Sequence, residues 1–456
     1  MPTDLKNLVD HLVIVMLENR SYDHMLGYLS LQNGANRPEI DGITSPAKAV
    51  YKNVSAEQVY RPFAFRDAAL PSDLPHERDF VQVQLAPSAT TGTYTMRGFV
   101  EAYRSFMHVP TAKKKAEPIA FMDGPASVPM IDLFAEEFTV CSRWFAPLPA
   151  STQPNRMMAL SGFTTVDVTK SQAIDQPTVY EWLTERNVDW RVYRSGLPFC
   201  TLLPRLWDKI LDDNRFRSIR RLAVDFQDPD HPFPQVVFCE PAYADSPVTF
   251  GFQPNDDHPP LPVGPGQEFL RGIYHALTSN PVRWSKTVLV VVYDEHGGFF
   301  DHVPPLAIPT DPPAGVHYAR FESTGVRVPG LVVSPLVERR SVYDQPLDHT
   351  SLLQFIAELF GQSGETYSPD VDRRRAQGIQ SLSATLTRDA PRSDIPTAAP
   401  AVMSAVAIVP AIGPAEVRTP NQIAWEKGAQ RLLDERPEAV EQYPELAQWQ
   451  AARKHQ

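Results

Sequence analysis

Short runs of β-branched and apolar residues recur along the chain, each too short and too evenly apolar to be one face of a surface helix. They are "HLVIVML" (11–17), "FTVCSRWF" (138–145), "VDWRVYR" (188–194), "QVVFCE" (235–240), "TVLVVVYDEH" (287–296) and "VRVPGLVVS" (326–334), the pattern of strands buried on both faces. Between them, "SVPMIDLFAEEF" (127–138), "PTVYEWLTER" (177–186) and "GQEFLRGIYHALTSN" (266–280) repeat apolar residues at helical spacing. This alternation predicts an α/β protein with a central, mostly parallel sheet. A proline- and alanine-rich stretch follows, and helical periodicity returns near residue 420. The expected organisation is a domain over 1–390, a linker or arm over 391–419 and a helical segment over 420–456.

Composition narrows the function classes. A net charge of -11 over 456 residues argues against a surface for nucleic acid, and the compact basic run Lys113 to Lys115 reads as a solvated loop. Cys141, Cys200 and Cys239 form no CxxC pair, so reduced core thiols are expected. No apolar stretch approaches the roughly 20 residues of a membrane span. The first ten residues lack a basic-then-apolar leader pattern, so a cytoplasmic location is expected.

In open parallel sheets the ligand crevice lies outside the carboxyl ends of the strands. Glu18 and Asn19 end the first run, and Asp294 and Glu295 end the fifth. Asn19 alone fits a helix cap equally well. Two adjacent oxygen pairs, the second followed by "HGGFFDH", point to a site. A third segment, "APLPASTQPNRMMALSG" (146–162), presents Ser151 and Thr152 before a helix expected to begin at Pro154. A hydroxyl there faces unpaired backbone N–H groups and the positive end of the helix dipole, a place suited to phosphate, although such a residue is most often only a cap. Asn155 lies in the same first turn, where it can hold a phosphate oxygen. Arg156 beside it can as well make a structural bond to the sheet edge.

Three motifs in order, "MLENRSYDHMLG", "PASTQPNR" and "YDEHGGFFDHV", resemble the phosphoesterase family of bacterial and plant phospholipases C and related bacterial acid phosphatases, within the alkaline-phosphatase-like superfamily. The resemblance runs over about residues 11–360, with "RGFVEAY", "RWFAPLPAS", "EPAY", "NDDHPP" and "GVRVPGLVVSPLVE" also in order. It implies a three-layer α/β sandwich. It implies that Glu18, Asn19, Asp294 and Glu295 bind a catalytic metal and that Thr152 is both nucleophile and metal ligand, with Ser151 in reserve. "NDDHPP" brings His258 as an active-site histidine, and "DLPHERDF" brings His76 as a second phosphate contact.

An all-oxygen set suits one hard divalent ion, Ca²⁺, Mg²⁺ or Mn²⁺, better than Zn²⁺. His296, Asp301 and His302 are expected to orient these ligands, and Asp348 and His349 to cap a helix first and support the site second. The expected activity is phospholipase C-type cleavage of the glycerol-side phosphodiester through a phosphothreonine. The alternatives are a phosphomonoesterase on the same site and a non-catalytic protein that binds a phosphorylated ligand. The expected partner is a phospholipid or other phosphoester, with no nucleic acid and at most peripheral membrane contact.

Overall fold

The computed structural model describes residues 5–88, 92–107, 116–248, 253–397 and 418–453. The basic run at 113–115 and most of the expected linker lie outside these residues. An eight-stranded sheet is built from β1 (His11–Leu17), β2 (Thr139–Cys141), β3 (Trp190–Arg194), β4 (Phe216–Ser218), β5 (Val236–Glu240), β6 (Thr287–Tyr293), β7 (Gly330–Val333) and β8 (Ser341–Tyr343). Their order is β8-β2-β7-β6-β1-β5-β3-β4. Only β7 runs against its neighbours. All six expected strands form, the first over its full expected length and the other five shorter than expected. β4 and β8 escape the sequence reading because three residues at a sheet end carry too little apolar pattern.

The helices that matter for the site are α1 (Tyr22–Leu26), α2 (Arg78–Leu85), α3 (Phe99–Met107), α4 (Pro129–Glu137), α5 (Thr152–Ser161), α6 (Val179–Glu185), α7 (Gly264–Thr278), α8 (Thr350–Phe360) and α9 (Pro420–Glu435). α5, α6 and α8 cover one face of β1 and β5, where Ile14, Met16 and Phe238 meet Ala159, Tyr180 and Leu353 around a cavity of about 50 Å³. α4 packs on β2, β7 and α7 to form the second helical layer. Phe134 and Phe138 meet Tyr274 edge-on between α4 and α7. The result is a three-layer α/β sandwich with a mostly parallel sheet at its centre.

Two local expectations shift. α1 is capped by Ser21, whose hydroxyl accepts from the His24 N–H at 3.2 Å, and not by Asn19. α5 begins at Thr152, with Pro154 third. A first-turn N–H has no partner inside the helix, so losing one to proline there costs little. The three cysteines are free and buried, and among the described residues no helix is long and apolar enough to cross a membrane.

Asp301 and His302 belong to a network apart from the expected ligands. Arg327 donates to both Asp301 oxygens at 2.9 and 3.2 Å and lies over the Tyr22 ring at 4.2 Å. His302 bridges Asp23 at 2.7 Å and Asp41 at 3.1 Å. This network ties the start of α1 to the chain before β7, so its reach is structural. Replacing Arg327 by Met leaves Asp301 buried without its counter-charge, and a loss of about 3–5 kcal/mol is expected in urea unfolding.

Candidate active site

Leu17 and Tyr293 are register partners in parallel strands, so Glu18 and Asp294 leave the sheet side by side. Asn19 follows at φ 61°, a left-handed conformation that asparagine tolerates better than most residues. That turn lets its N–H donate to Asp294 Oδ1 at 3.0 Å while its side chain swings across the crevice. There Thr152 Oγ1 donates to Asn19 Oδ1 at 3.3 Å. The expected nucleophile thus meets the end of β1 at the first residue of α5.

Two glycines make the close packing possible. A Cβ on Gly297, at φ +60°, would sit 2.0 Å from the Asn19 carbonyl oxygen. On Gly298 it would meet the Pro75 carbonyl oxygen at 2.7 Å, so this glycine admits the loop that carries Asp73 and His76.

The cluster is nearly dry. Glu18, Asn19, Thr152, Asp294 and Glu295 are each at most 1% exposed. Arg156 supplies the local positive charge: its Nη2 lies 2.9 Å from Glu18 Oε1 and its Nε 3.3 Å from Asp294 Oδ2. It also donates to the Met16 carbonyl at 3.3 Å and the Tyr243 hydroxyl at 3.2 Å. Its charge does not satisfy the set. Both Glu18 oxygens and Glu295 Oε1 are buried without a hydrogen-bond partner, since the approach of Arg156 to Glu18 has the distance of a bond but not its alignment. Burial pushes the Glu18 carboxyl well above its usual range and Asp294 up to about 6, with Arg156 opposing in both cases. Glu295 is held below its usual range: burial raises it, but His76, His296 and the Gly297 N–H outweigh burial. Three unpartnered carboxylate oxygens beside an amide oxygen and a hydroxyl are a donor set that fits a hard divalent cation.

Two imidazoles face this cluster, with ring centroids 6.0 Å apart. His76 spends Nδ1 on the Leu74 carbonyl at 2.8 Å, which leaves Nε2 for the crevice. Burial lowers its pKa, but Glu295 and Asp73 reverse that to a net rise. His258 sits on a loop pinned to β1 by the Glu18 N–H, which donates to the Asp256 carbonyl at 2.7 Å. Its Nδ1 bonds the Pro259 carbonyl, and its Nε2 lies 2.9 Å from Asn19 Nδ2, the arrangement of a neutral ring protonated on Nδ1. Against burial, Asp245, Asp73 and Glu18 raise its pKa to about 10. The two observations correspond to different charge states of the ring. A cation among the carboxylates would oppose their pull, so we favour the neutral pairing for a filled site.

The other expected residues divide. His296 touches Glu295 Oε2 at 3.1 Å and Gln84 Oε1 at 2.7 Å, and so fixes the Glu295 carboxylate. His349 accepts from Trp144 Nε1 at 3.1 Å and donates from Nε2 to the Asp294 carbonyl at 2.6 Å. Burial takes it down to about 4, which keeps it neutral for that pairing. Asp348 accepts from the Thr350 N–H at 2.7 Å and pairs with Arg374, away from the cluster. Asn155 accepts from the Leu148 N–H at 2.9 Å and donates to the Ala150 and Ser151 carbonyls at 2.8 and 3.0 Å. Its amide is thereby spent on the turn that presents Thr152, which leaves no donor for a phosphate oxygen. Ser151 Oγ bonds Glu77 and Thr169, both at 2.9 Å, and faces away from Asn19.

Asp73, Asp245 and Asp256 were not foreseen. Asp73, His76 and His258 bring ligand atoms within 4.8 Å of one another, as do Glu18, Asp245 and His258. The available signal was position: Asp73 lies three residues before His76, and Asp245 five residues after the carboxyl end of β5.

Residues 9–363 match the model of the phosphoesterase family. Non-specific phospholipase C1 of Arabidopsis thaliana is 31% identical over 434 residues, covering 88% of this chain and 75% of that protein. Phospholipase C B of Mycobacterium tuberculosis (strain ATCC 25618 / H37Rv) is 27% identical over 402 residues, covering 77% and 73%. Among solved structures, a protein in the alkaline phosphatase superfamily from Vibrio parahaemolyticus aligns over 56% of this chain and 64% of its own, at 10% identity and a TM-score of 0.32. That likeness is slight, and the fold rests on the sheet described above.

The Gly297 contact yields a direct test. Gly297→Ala forces the Asn19 carbonyl to move, so a fall in melting temperature of several degrees is expected, together with loss of divalent-ion binding in calorimetry.

Proposed function

The chain belongs to the phosphoesterase family, hydrolases of phosphoric esters, and from that premise we propose that it is a metal-dependent phospholipase C that works through a phosphothreonine at Thr152. The observation that carries this reading is the set of unpartnered, buried oxygens on Glu18 and Glu295 at the ends of β1 and β6, with Asn19, which follows Glu18, accepting from the hydroxyl of Thr152 at a helix N-terminus. Glu18, Asn19, Asp294, Glu295 and Thr152 would hold the ion. Bound there, it supplies positive charge that acidifies a hydroxyl and neutralises phosphate oxygens.

The residues of the chain supply the rest. Thr152 Oγ1 forms a bond to phosphorus in line with the ester oxygen that leaves, and the bond from phosphorus to that oxygen breaks. The first turn of α5 directs backbone N–H groups and its dipole at the phosphoryl oxygens. Asn155 keeps the turn from 148 to 151 closed, so Thr152 is held in place before the substrate arrives. His76 turns Nε2 to the crevice as donor to a phosphate oxygen or to the departing alcohol. His258 keeps the Asn19 amide in position and is the second imidazole able to move a proton. Water then attacks the phosphothreonine from the opposite side, releasing the phosphorylated head group and restoring the hydroxyl.

A lipid rather than a small soluble ester is favoured by the helix pair next to His76. α2 and α3 pack together, with Phe80 edge-on to Phe106 at 5.6 Å. Val83 and Phe106 remain 42% and 40% exposed on that pair, an apolar approach suited to an acyl chain. We assign the catalytic domain to residues 1–390.

Initial rates with p-nitrophenylphosphorylcholine and p-nitrophenyl phosphate, after chelation and re-addition of each divalent ion, test the reading. A preference for the diester is expected. A preference for the monoester would make the chain a phosphatase on the same site. Thr152→Ala is expected to lower turnover by at least about 10³-fold while retaining substrate binding. Unchanged turnover in that variant would remove the nucleophile assignment.

A further inference from the structure

The N-terminus of α9 touches the active site although the helix lies beyond residues 9–363, the stretch matched to the family model. Thr419 caps it, accepting from the Gln422 N–H at 3.1 Å. Asn421, in the first turn, is 4% exposed, and its Nδ2 donates to Asp245 Oδ2 at 2.7 Å. The Thr419 hydroxyl reaches the other Asp245 oxygen at 3.4 Å. Asp245 Oδ2 in turn lies 3.5 Å from His258 Nε2, the atom that meets Asn19. A buried amide on α9 is thus separated from a proposed metal ligand by one carboxylate and one imidazole.

A second contact line starts from the same helix. Trp425 lies against Tyr243, with centroids 5.2 Å apart and planes at 36°, and edge-on to Phe199 at 6.3 Å. Tyr243 accepts from Arg156 and donates to Glu240 at 3.1 Å. Tyr243 and Phe199 both contact the guanidinium that neutralises Glu18 and Asp294. A helix that served only to cover apolar surface would not need a buried amide at the edge of the catalytic carboxylates. Burying an amide without its partner costs about 1–3 kcal/mol, so the contact between Asn421 and Asp245 is strongly specified.

We propose that Asn421 is a positioning residue of the active site: it holds Asp245, and through Asp245 it sets the place of the His258 ring. This inference rests on the phosphoester-hydrolysing reading of the site. The side chain touches no substrate atom, so its effect enters through geometry. A small displacement of a catalytic imidazole lowers turnover far more than it changes ground-state binding.

The test is a double-mutant cycle in the full-length protein with p-nitrophenylphosphorylcholine as probe. Asn421→Leu is expected to lower kcat about 10-fold or more with KM changed less than about 3-fold. Asp245→Asn is expected to lower kcat at least as much. The double variant should then be no slower than Asp245→Asn alone, because both changes act on one contact. Arg431, on the same helix, donates to the Ser171 carbonyl at 2.8 Å. Arg431→Ala is expected to lower the melting temperature and keep kcat, which separates loosening of the helix from misplacement of the imidazole. If the leucine variant does not fold, the same cycle is run with Asn421→Ala and the same outcome is expected. Wild-type kcat in folded Asn421→Leu, or losses that multiply in the double variant, would overturn the inference. Turnover lost in Thr152→Ala but unchanged in Asn421→Leu would overturn it while leaving the proposed function standing. Turnover retained in Thr152→Ala would remove both.

Discussion

Much at the carboxyl end of this sheet follows from burying three carboxylates, Glu18, Asp294 and Glu295, at the ends of two neighbouring strands. An ionised carboxylate taken out of water costs several kcal/mol unless it is paired and hydrogen-bonded. Asp294 is largely satisfied: the N–H groups of Asn19 and Glu295 and the guanidinium of Arg156 reach its two oxygens. Glu18 is not: Arg156 approaches one oxygen at 2.9 Å, but neither oxygen accepts a hydrogen bond. Such a cluster is relieved by a proton or by a further positive charge, and the donor atoms present are those a hard cation takes.

The surrounding structure serves that constraint. Parallel pairing of β1 and β6 in one register brings Glu18 beside Asp294 without a long loop to order. The left-handed turn at Asn19 and the glycine opposite it let two backbone segments meet where ordinary residues would collide. Arg156 and His296 then fix the carboxylates of Asp294 and Glu295, and His349 fixes the Asp294 backbone. Thr152, the proposed nucleophile, arrives on α5, whose N-terminal N–H groups attract the same anion as the proposed cation. Convergence of β1, β6 and α5 on one point is what distinguishes this crevice from an ordinary set of helix caps.

How far the sequence revealed this depends on where each residue lies. Six strands and the acidic ends of two of them were legible, because uniformly apolar runs followed at once by adjacent oxygens are a local pattern. The hydroxyl pair at 151 and 152 was legible too, but only the fold separates them: Ser151 turns to Glu77 and Thr169, and Thr152 to Asn19. Asn155 looked like a phosphate contact from its place in the helix, whereas its amide is consumed by the preceding turn. Asp301 and His302 follow a ligand motif closely, yet Arg327, distant in sequence, draws them into another network. Asn421 carried no usable signal, and the place of Asp245 shortly after β5 did not announce its partner. They are 176 residues apart, and nothing in either local sequence announces the contact that joins them.

The most direct measurement is calorimetric titration of the chelated protein with divalent ions, on the wild type and on Glu18→Gln. The account requires one ion per chain in the wild type, a higher melting temperature when the ion is bound, and loss of both in the glutamine variant, whose fold should survive because the replacement is nearly isosteric. A wild type that binds no divalent ion, or a Glu18→Gln variant that binds it as well as the wild type, would contradict the claim that these buried carboxylates converge to hold a cation beside Thr152.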